Sequence, residues 1–179
     1  MQITECEFYD GAKRKIERLG LKPLLEEAYQ ALRECRVLLL EEKNANGAAL
    51  LRKYIDNCFQ IKTGWRKISS GGVDWGKCLQ TDKTSVCIGI EIQVSARSDL
   101  VIRDIVHLRD ALEEGAIDLG ILVVPSDKLS LYLNDRGPTL NETRRVIEKD
   151  ARVTQLPLVI ITVEHDGPGP ALPKQKRRR

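Results

Sequence analysis

The chain has 179 residues, 42% of them hydrophobic, and a formal net charge of +3. That length suits one domain with a sizeable core. No apolar run approaches the ~20 residues that a membrane-spanning helix needs, so no such helix and no membrane partner are expected. No G-x-x-x-x-G-K-[ST] pattern occurs, so no nucleotide cofactor is expected. The start, Met1-Gln2-Ile3-Thr4-Glu5-Cys6-Glu7, lacks the basic-then-apolar order of a signal peptide, so a cytoplasmic location is expected. The five cysteines, Cys6, Cys35, Cys58, Cys78 and Cys87, include no C-x-x-C pair. A zinc site is not expected, and reduced thiols are.

In chain order, residues 11–19 read as a short helix carrying Lys13, Arg14, Lys15 and Arg18. Pro23 suits the first turn of a second helix reaching about Glu42. Its apolar stripe is Leu24, Leu25, Ala28, Leu32, Cys35 and Leu39. Asn44 to Gly47 breaks it. A third helix is expected from about Ala48 to Gln60, with Leu51, Tyr54, Ile55, Cys58 and Phe59 inward.

A hairpin follows. In Cys87-Ile88-Gly89-Ile90-Glu91-Ile92-Gln93-Val94-Ser95 the side chains alternate, so Ile88, Ile90, Ile92 and Val94 share one face and Gly89, Glu91, Gln93 and Ser95 the other. The first face is a core face; the second carries a carboxylate and an amide. Upstream, Gly72-Val73-Asp74-Trp75-Gly76-Lys77 is joined to it through a polar turn centred on Asp82-Lys83. Antiparallel pairing about that centre sets Asp74 opposite Glu91, Trp75 opposite Ile90 and Cys78 opposite Cys87, so a bridge between these two cysteines is geometrically conceivable. Two carboxylates facing each other repel. A divalent cation held through oxygen offsets that repulsion. The alternative is a solvated edge hairpin, against which the Ile-rich length of the Glu91 strand argues.

A helix over about residues 99–114 comes next, with Ser98 as its N-cap, Gly115 as its stop and Val101, Ile102, Ile105, Leu108 and Leu112 as its apolar positions. Ile117 to Val124 is a buried strand closed by Pro125. Ser126 to Pro138 reads as a long loop. Thr139-x-x-Glu142 is a capping box opening a helix to about Arg152. Leu158 to Val163 is the last strand. The strand–helix–strand unit of residues 86–124 implies a parallel pair. Together with the hairpin this gives an α/β class, a mixed β-sheet flanked by helices. Residues 1–166 read as a single domain. After Gly167-Pro168-Gly169-Pro170, residues 167–179 read as a flexible tail made basic by Lys174, Lys176, Arg177, Arg178 and Arg179. Such a tail suits non-specific phosphate contact or merely solubility.

An Asp, a turn and Glu-x-Lys on the next strand form the core of the PD-(D/E)xK nucleases, with Gln93 here in place of Lys. That replacement, with Val73-Asp74-Trp75, Ile90-Glu91-Ile92-Gln93-Val94 and Asp118-Leu119-Gly120-Ile121-Leu122-Val123-Val124-Pro125, resembles the BglII-like type II restriction endonucleases over about residues 35–130. The order of elements agrees with a restriction-endonuclease-like core. The hairpin is longer than the family's usual one. Asp82, nine residues before Glu91, is a rival for the Asp role, but it falls at the turn tip.

The resemblance implies an Mg²⁺-dependent deoxyribonuclease, with Mn²⁺ a possible substitute, that hydrolyses double-stranded DNA at a specific site. Asp74, Glu91 and the Ile92 carbonyl would ligate the metal; Asp74, Glu91 and Gln93 would be the catalytic residues. Gln93 has neither basicity nor charge, so its role would be to position the attacking water. A homodimer is expected, because two-fold sites serve a palindrome. The alternatives are a non-catalytic DNA-binding module on the same fold and a repair or structure-specific nuclease.

Other candidates read more plainly. Asn57 is a surface amide, with a place at the site as its alternative. His107, near Asp104 and Asp110, belongs to a solvated helix face, and His165-Asp166 to a loop. Arg145, Lys149 and Arg152 form a basic stripe, a solvated face that also suits DNA phosphates. Lys128, Asn134, Asp135 and Arg136 offer groups able to read base edges.

Overall fold

The structure is a computed structural model describing residues 1–80, 84–95, 100–135, 137–149 and 155–174, with only the backbone of Ser70. The chain runs β1 (Gln2–Tyr9), α1 (Ala12–Leu19), α2 (Lys22–Glu34), β2 (Leu38–Leu39), α3 (Ala48–Gln60), a 3₁₀ turn (Ser70–Gly72), β3 (Trp75–Gln80) and β4 (Ser85–Ile92). It continues as α4 (Val101–Glu113), β5 (Leu119–Pro125), α5 (Asp127–Tyr132), α6 (Leu140–Lys149), β6 (Leu158–Glu164) and β7 (Gly167–Pro168).

Five strands form one mixed sheet in the order β1-β6-β5-β4-β3. The inner strands β4, β5 and β6 are parallel, while β1 and β3 close the edges antiparallel. The parallel pair expected across residues 86–124 is β4–α4–β5. The hairpin register is the one the turn predicts, with Trp75 opposite Ile90 and Cys78 opposite Cys87.

Alternation along β4 divides the molecule. Ile88, Ile90, Ile92 and Val94 enter the larger core with α2 and α3 and with Ile121, Val123 and Ile161 of the neighbouring strands. The opposite face meets α4, whose Val101, Ile105, Leu108 and Ala111 pack on Leu122, Val124 and Ile160. Gly89 on that face leaves little room for a side chain: a Cβ would stand 3.0 Å from Ile117 and 3.2 Å from Val73, which would have to shift by a few tenths of an ångström. Each buried Ile on the core face contributes roughly 1.5–3 kcal/mol.

Several segments differ from expectation. β1 was not anticipated: it is a half-exposed edge strand whose alternation is interrupted by a register shift between Ile3 and Glu5. The second helix stops at Glu34, not near Glu42, because residues 36–40 are drawn into extended pairing. Val37 N donates to Asp166 Oδ2 at 2.7 Å, Leu38–Leu39 pair with Gly167–Pro168, and the fully buried Asn46 side chain binds both the N–H and the carbonyl of Leu40. The loop expected from Ser126 contains α5, started by Ser126 Oγ accepting from Leu129 N at 3.0 Å. The Gly/Pro stretch expected to be mobile is docked: Leu172 is buried, and its carbonyl accepts from Gly47 N at 2.9 Å. Residues 175–179 lie outside the described residues.

Cys78 and Cys87, expected as reduced thiols, form a disulfide across the hairpin. The register already opposes them, with Cα atoms 4.0 Å apart. His165, expected in a loop, is buried between Glu164 and Glu41, with Nε2 2.9 Å from Glu41 Oε1. Asn134 is spent on structure: its Oδ1 accepts from Ala48 N at 2.8 Å and caps α3. Arg145 and Lys149 are exposed, while Asp82, Ser98, Arg136 and Arg152 lie outside the described residues. No helix among the described residues is long and apolar enough to cross a membrane.

Candidate active site

The polar face of β4 opens into a pocket of about 270 Å³ lined by Arg52, Asp74, Glu91, Gln93, Asp104 and His107, among others. Three elements meet there. The hairpin brings Asp74, Glu91 and Gln93; α3 brings Arg52; α4 brings Asp104 and His107. Glu91 and Gln93 are buried. The Gln93 backbone extends the ladder beyond β4, its N–H donating to the Val123 carbonyl at 2.8 Å.

Asp74 sits one residue before β3. Its Oδ2 accepts the Ile92 N–H at 2.9 Å, and its Oδ1 lies 2.5 Å from Arg52 Nη2. Arg52 Nη1 also donates to the Ile92 carbonyl at 2.6 Å. The guanidinium thus bridges a carboxylate oxygen and a main-chain oxygen on adjacent strands. Its Nε is held by Asp56 Oδ2 at 3.0 Å, one turn along α3. Asp56 Oδ1 in turn accepts from Trp75 Nε1 at 2.8 Å and from Lys67 Nζ at 3.4 Å.

The charges at this site are strongly coupled. Burial pushes Glu91 up to about 10, helped by its hydrogen bond to Asp74 and by the Asp74 charge. Burial alone would also raise Asp74, but the hydrogen bond from Glu91 and the Arg52 guanidinium hold it below its ordinary value. The pair therefore shares a proton that stays with Glu91. Burial raises Asp104 to about 6. His107 Nδ1 lies 3.2 Å from Glu91 Oε1 and orients that carboxyl.

Of the residues singled out from the sequence, Asp74, Glu91, the Ile92 carbonyl and Gln93 come together here. Asn57 does not: it is exposed, and Arg52 on the same helix occupies the pocket. His107 faces Glu91, not solvent alone. Asp104, Glu91 and His107 each present a ligand atom within 4.8 Å of the others. Sequence reasoning missed Asp104 although a signal existed. It lies three residues after Val101 and four before Leu108, on the buried stripe of α4, where a carboxylate needs a reason. For Arg52 the signal was fainter, an i,i+4 pair with Asp56 flanking the buried Leu51–Ile55 stripe.

The family model for restriction endonuclease BamHI matches residues 10–176. In structure the chain is similar to restriction endonuclease BglII complexed with a DNA 16-mer, with a TM-score of 0.66 and 11% identity over 93% of this chain and 79% of that one. Free BglII is similar too, with a TM-score of 0.56 and 13% identity over 93% of this chain and 81% of that one. No curated protein sequence matches the chain. At such identities the likeness to BglII is one of fold, and the mixed sheet between two helical layers is that fold. Since the family model spans nearly the whole chain, this protein belongs to the BamHI restriction endonuclease family and has the type II restriction endonuclease fold.

Proposed function

We propose that this protein is an Mg²⁺-dependent, site-specific deoxyribonuclease that hydrolyses phosphodiester bonds of double-stranded DNA. We take it to work as a homodimer in the cytoplasm, each protomer one nuclease domain, with Mn²⁺ able to replace Mg²⁺. The observation that carries the reading is the convergence of Asp74, Glu91 and Gln93 on one pocket, beside a main-chain carbonyl that already faces a positive group. The family membership and the solved relative's complex with a DNA 16-mer support DNA as the substrate.

The residues fit a hard divalent cation. The donors are all oxygen, two carboxylates and the Ile92 carbonyl, and Arg52 stands as a cation between two of them. When bound, such a metal acidifies water and offsets charge on the phosphate. Asp74 and Glu91 would hold it, both as carboxylates, the Glu91 proton passing to solvent. His107 fixes the Glu91 rotamer. Gln93 is neither base nor cation; its amide hydrogen-bonds the attacking water and orients it toward phosphorus. The Ile-rich face beneath β4 keeps these groups in register.

Digestion of a large plasmid with Mg²⁺, followed by mapping of the ends, tests this. Discrete fragments that vanish with EDTA are expected. Cutting confined to lesions or junctions would assign the same core to repair. Absence of cutting with salt-dependent binding intact would reduce the protein to a DNA-binding module.

A further inference from the structure

Arg52 holds two oxygens that the proposed metal needs. Its Nη2 is 2.5 Å from Asp74 Oδ1 and its Nη1 2.6 Å from the Ile92 carbonyl oxygen. A Mg²⁺ ion takes such oxygens at about 2.0–2.1 Å in octahedral geometry. Each oxygen keeps a further lone pair, but a guanidinium at 2.5–2.6 Å and a dication on the same two oxygens repel each other, so the two compete for these positions. Arg52 is at the same time held by Asp56: its Nε lies 3.0 Å from Asp56 Oδ2 and its Nη2 3.4 Å from Asp56 Oδ1. Rotation about the terminal side-chain bonds frees the fork from Asp74 and Ile92 without exposing an unpaired charge, because Asp56 remains in reach.

We propose that Arg52 is an internal cation that competes with the divalent metal for Asp74 and the Ile92 carbonyl, so that the metal loads only as the guanidinium withdraws onto Asp56. The inference rests on the metal site proposed above. A guanidinium suits this task better than an ammonium. It stays charged at every working pH, is weakly hydrated, and spans two acceptors with parallel N–H groups. Lys67 lies 3.9 Å from Asp74 Oδ1 and is largely exposed, and Arg103, at the pocket's edge, faces Asp104 at 3.7 Å; neither is recorded in contact with the Ile92 carbonyl. In the metal-free protein Arg52 thus steadies the ligand set, and for the same reason it lowers the site's affinity for metal.

The test is Mn²⁺ binding to the full chain without DNA, followed by electron paramagnetic resonance of the free ion. Arg52→Gln should bind Mn²⁺ about tenfold tighter or more, in the range by which outer-shell partners tune metal sites. Arg52→Lys, which keeps a charge but cannot bridge both oxygens, should bind tighter than wild type by a smaller factor. Adding Asp74→Ala should abolish the gain. If Arg52→Gln does not fold without metal, the Arg52→Lys comparison decides. Equal or weaker binding in the Arg52 variants, with Asp74-dependent binding in wild type, overturns the competition and leaves the metal site standing. Mn²⁺ binding that ignores Asp74 in every variant overturns the metal site itself, and the competition with it.

Discussion

Asp74 Oδ2 accepts the backbone N–H of Ile92 at 2.9 Å, which ties the carboxylate of one hairpin strand to the main chain of the other, one residue past Glu91. The bond fixes where Asp74 points before any ligand arrives, and it uses only one of the two carboxylate oxygens.

That placement yields the first prediction. Asp74→Ala and Glu91→Ala should each lower cleavage by more than the 10–100-fold typical of outer-shell changes, since they remove the proposed ligands themselves. Duplex affinity in EDTA should change little, because a carboxylate offers no positive charge to a phosphate. Single-turnover cleavage and filter binding measure both. Normal cutting by Asp74→Ala with a dead Asp82→Ala would transfer the role to Asp82.

Gln93 is buried on the same face. Gln93→Leu keeps its bulk and removes both hydrogen-bonding ends. Single-turnover cleavage at saturating Mg²⁺ should fall about 10²-fold, the scale of lost positioning. The melting temperature should hold, because the four apolar residues that anchor β4 are on the other face. A wild-type rate would make Gln93 a bystander.

The proton held by Glu91 makes stability depend on pH. Glu91 is raised to about 10 from 4.5. Across that window the folded protein keeps a proton that the unfolded chain releases, so the metal-free protein loses stability as pH rises. Asp104, raised to about 6 from 3.8, adds to the loss in its lower part. Asp74 is lowered, so its contribution is present above 3.8 and is lost only in acid. Cation binding favours ionised Glu91. The gap in melting temperature between Mg²⁺ and EDTA should therefore widen from pH 5 to pH 9. A gap that stays constant, read by differential scanning calorimetry, would contradict this assignment of the proton.

The disulfide between Cys78 and Cys87 closes a loop with a sequence separation of 9. Loop-closure entropy for that length gives about 2.5 kcal/mol. Reductant should lower the melting temperature by roughly 5–10 °C for a chain of this size. A Cys78→Ser variant should start lower and be insensitive to reductant.

Leu172 and the carbonyl bonded to Gly47 pin the Gly/Pro stretch to the start of α3. Removing residues 175–179 should leave the melting temperature unchanged. Leu172→Ala should cost about 2–5 kcal/mol, the usual range for a buried leucine. If the basic residues touch DNA, this truncation should flatten the salt dependence of binding by up to about 0.9 for each phosphate that is no longer neutralised.

The parts legible in the sequence are those where one period runs unbroken. The two-residue alternation of β4 and the helical stripes of α3 and α4 located these elements within a few residues, and the hairpin register followed from the turn. β1 escaped because its alternation is interrupted after Ile3 and its residues are only partly buried. The end of α2 escaped because the pairing that unwinds it comes from residues more than a hundred positions away. At the site, Asp74, Glu91 and Gln93 could be grouped because one hairpin carries all three. Arg52 reaches the pocket from α3 and Asp104 and His107 from α4, and only tertiary packing brings them in.

The single strand that separates hydrophobic interior from reactive face also restricts how this protein can evolve in length. Gain or loss of one residue between Val86 and Ile90 would turn every later side chain of β4 through half a turn, driving Glu91 into the isoleucine layer and an isoleucine into the pocket. Changes in pairs would keep the faces but shift Asp74 along the ladder. Within this hairpin, length variation is therefore confined to the connection between Gln80 and Ser85, beyond the disulfide, where an added residue leaves both Trp75–Ile90 and the carboxylates in place.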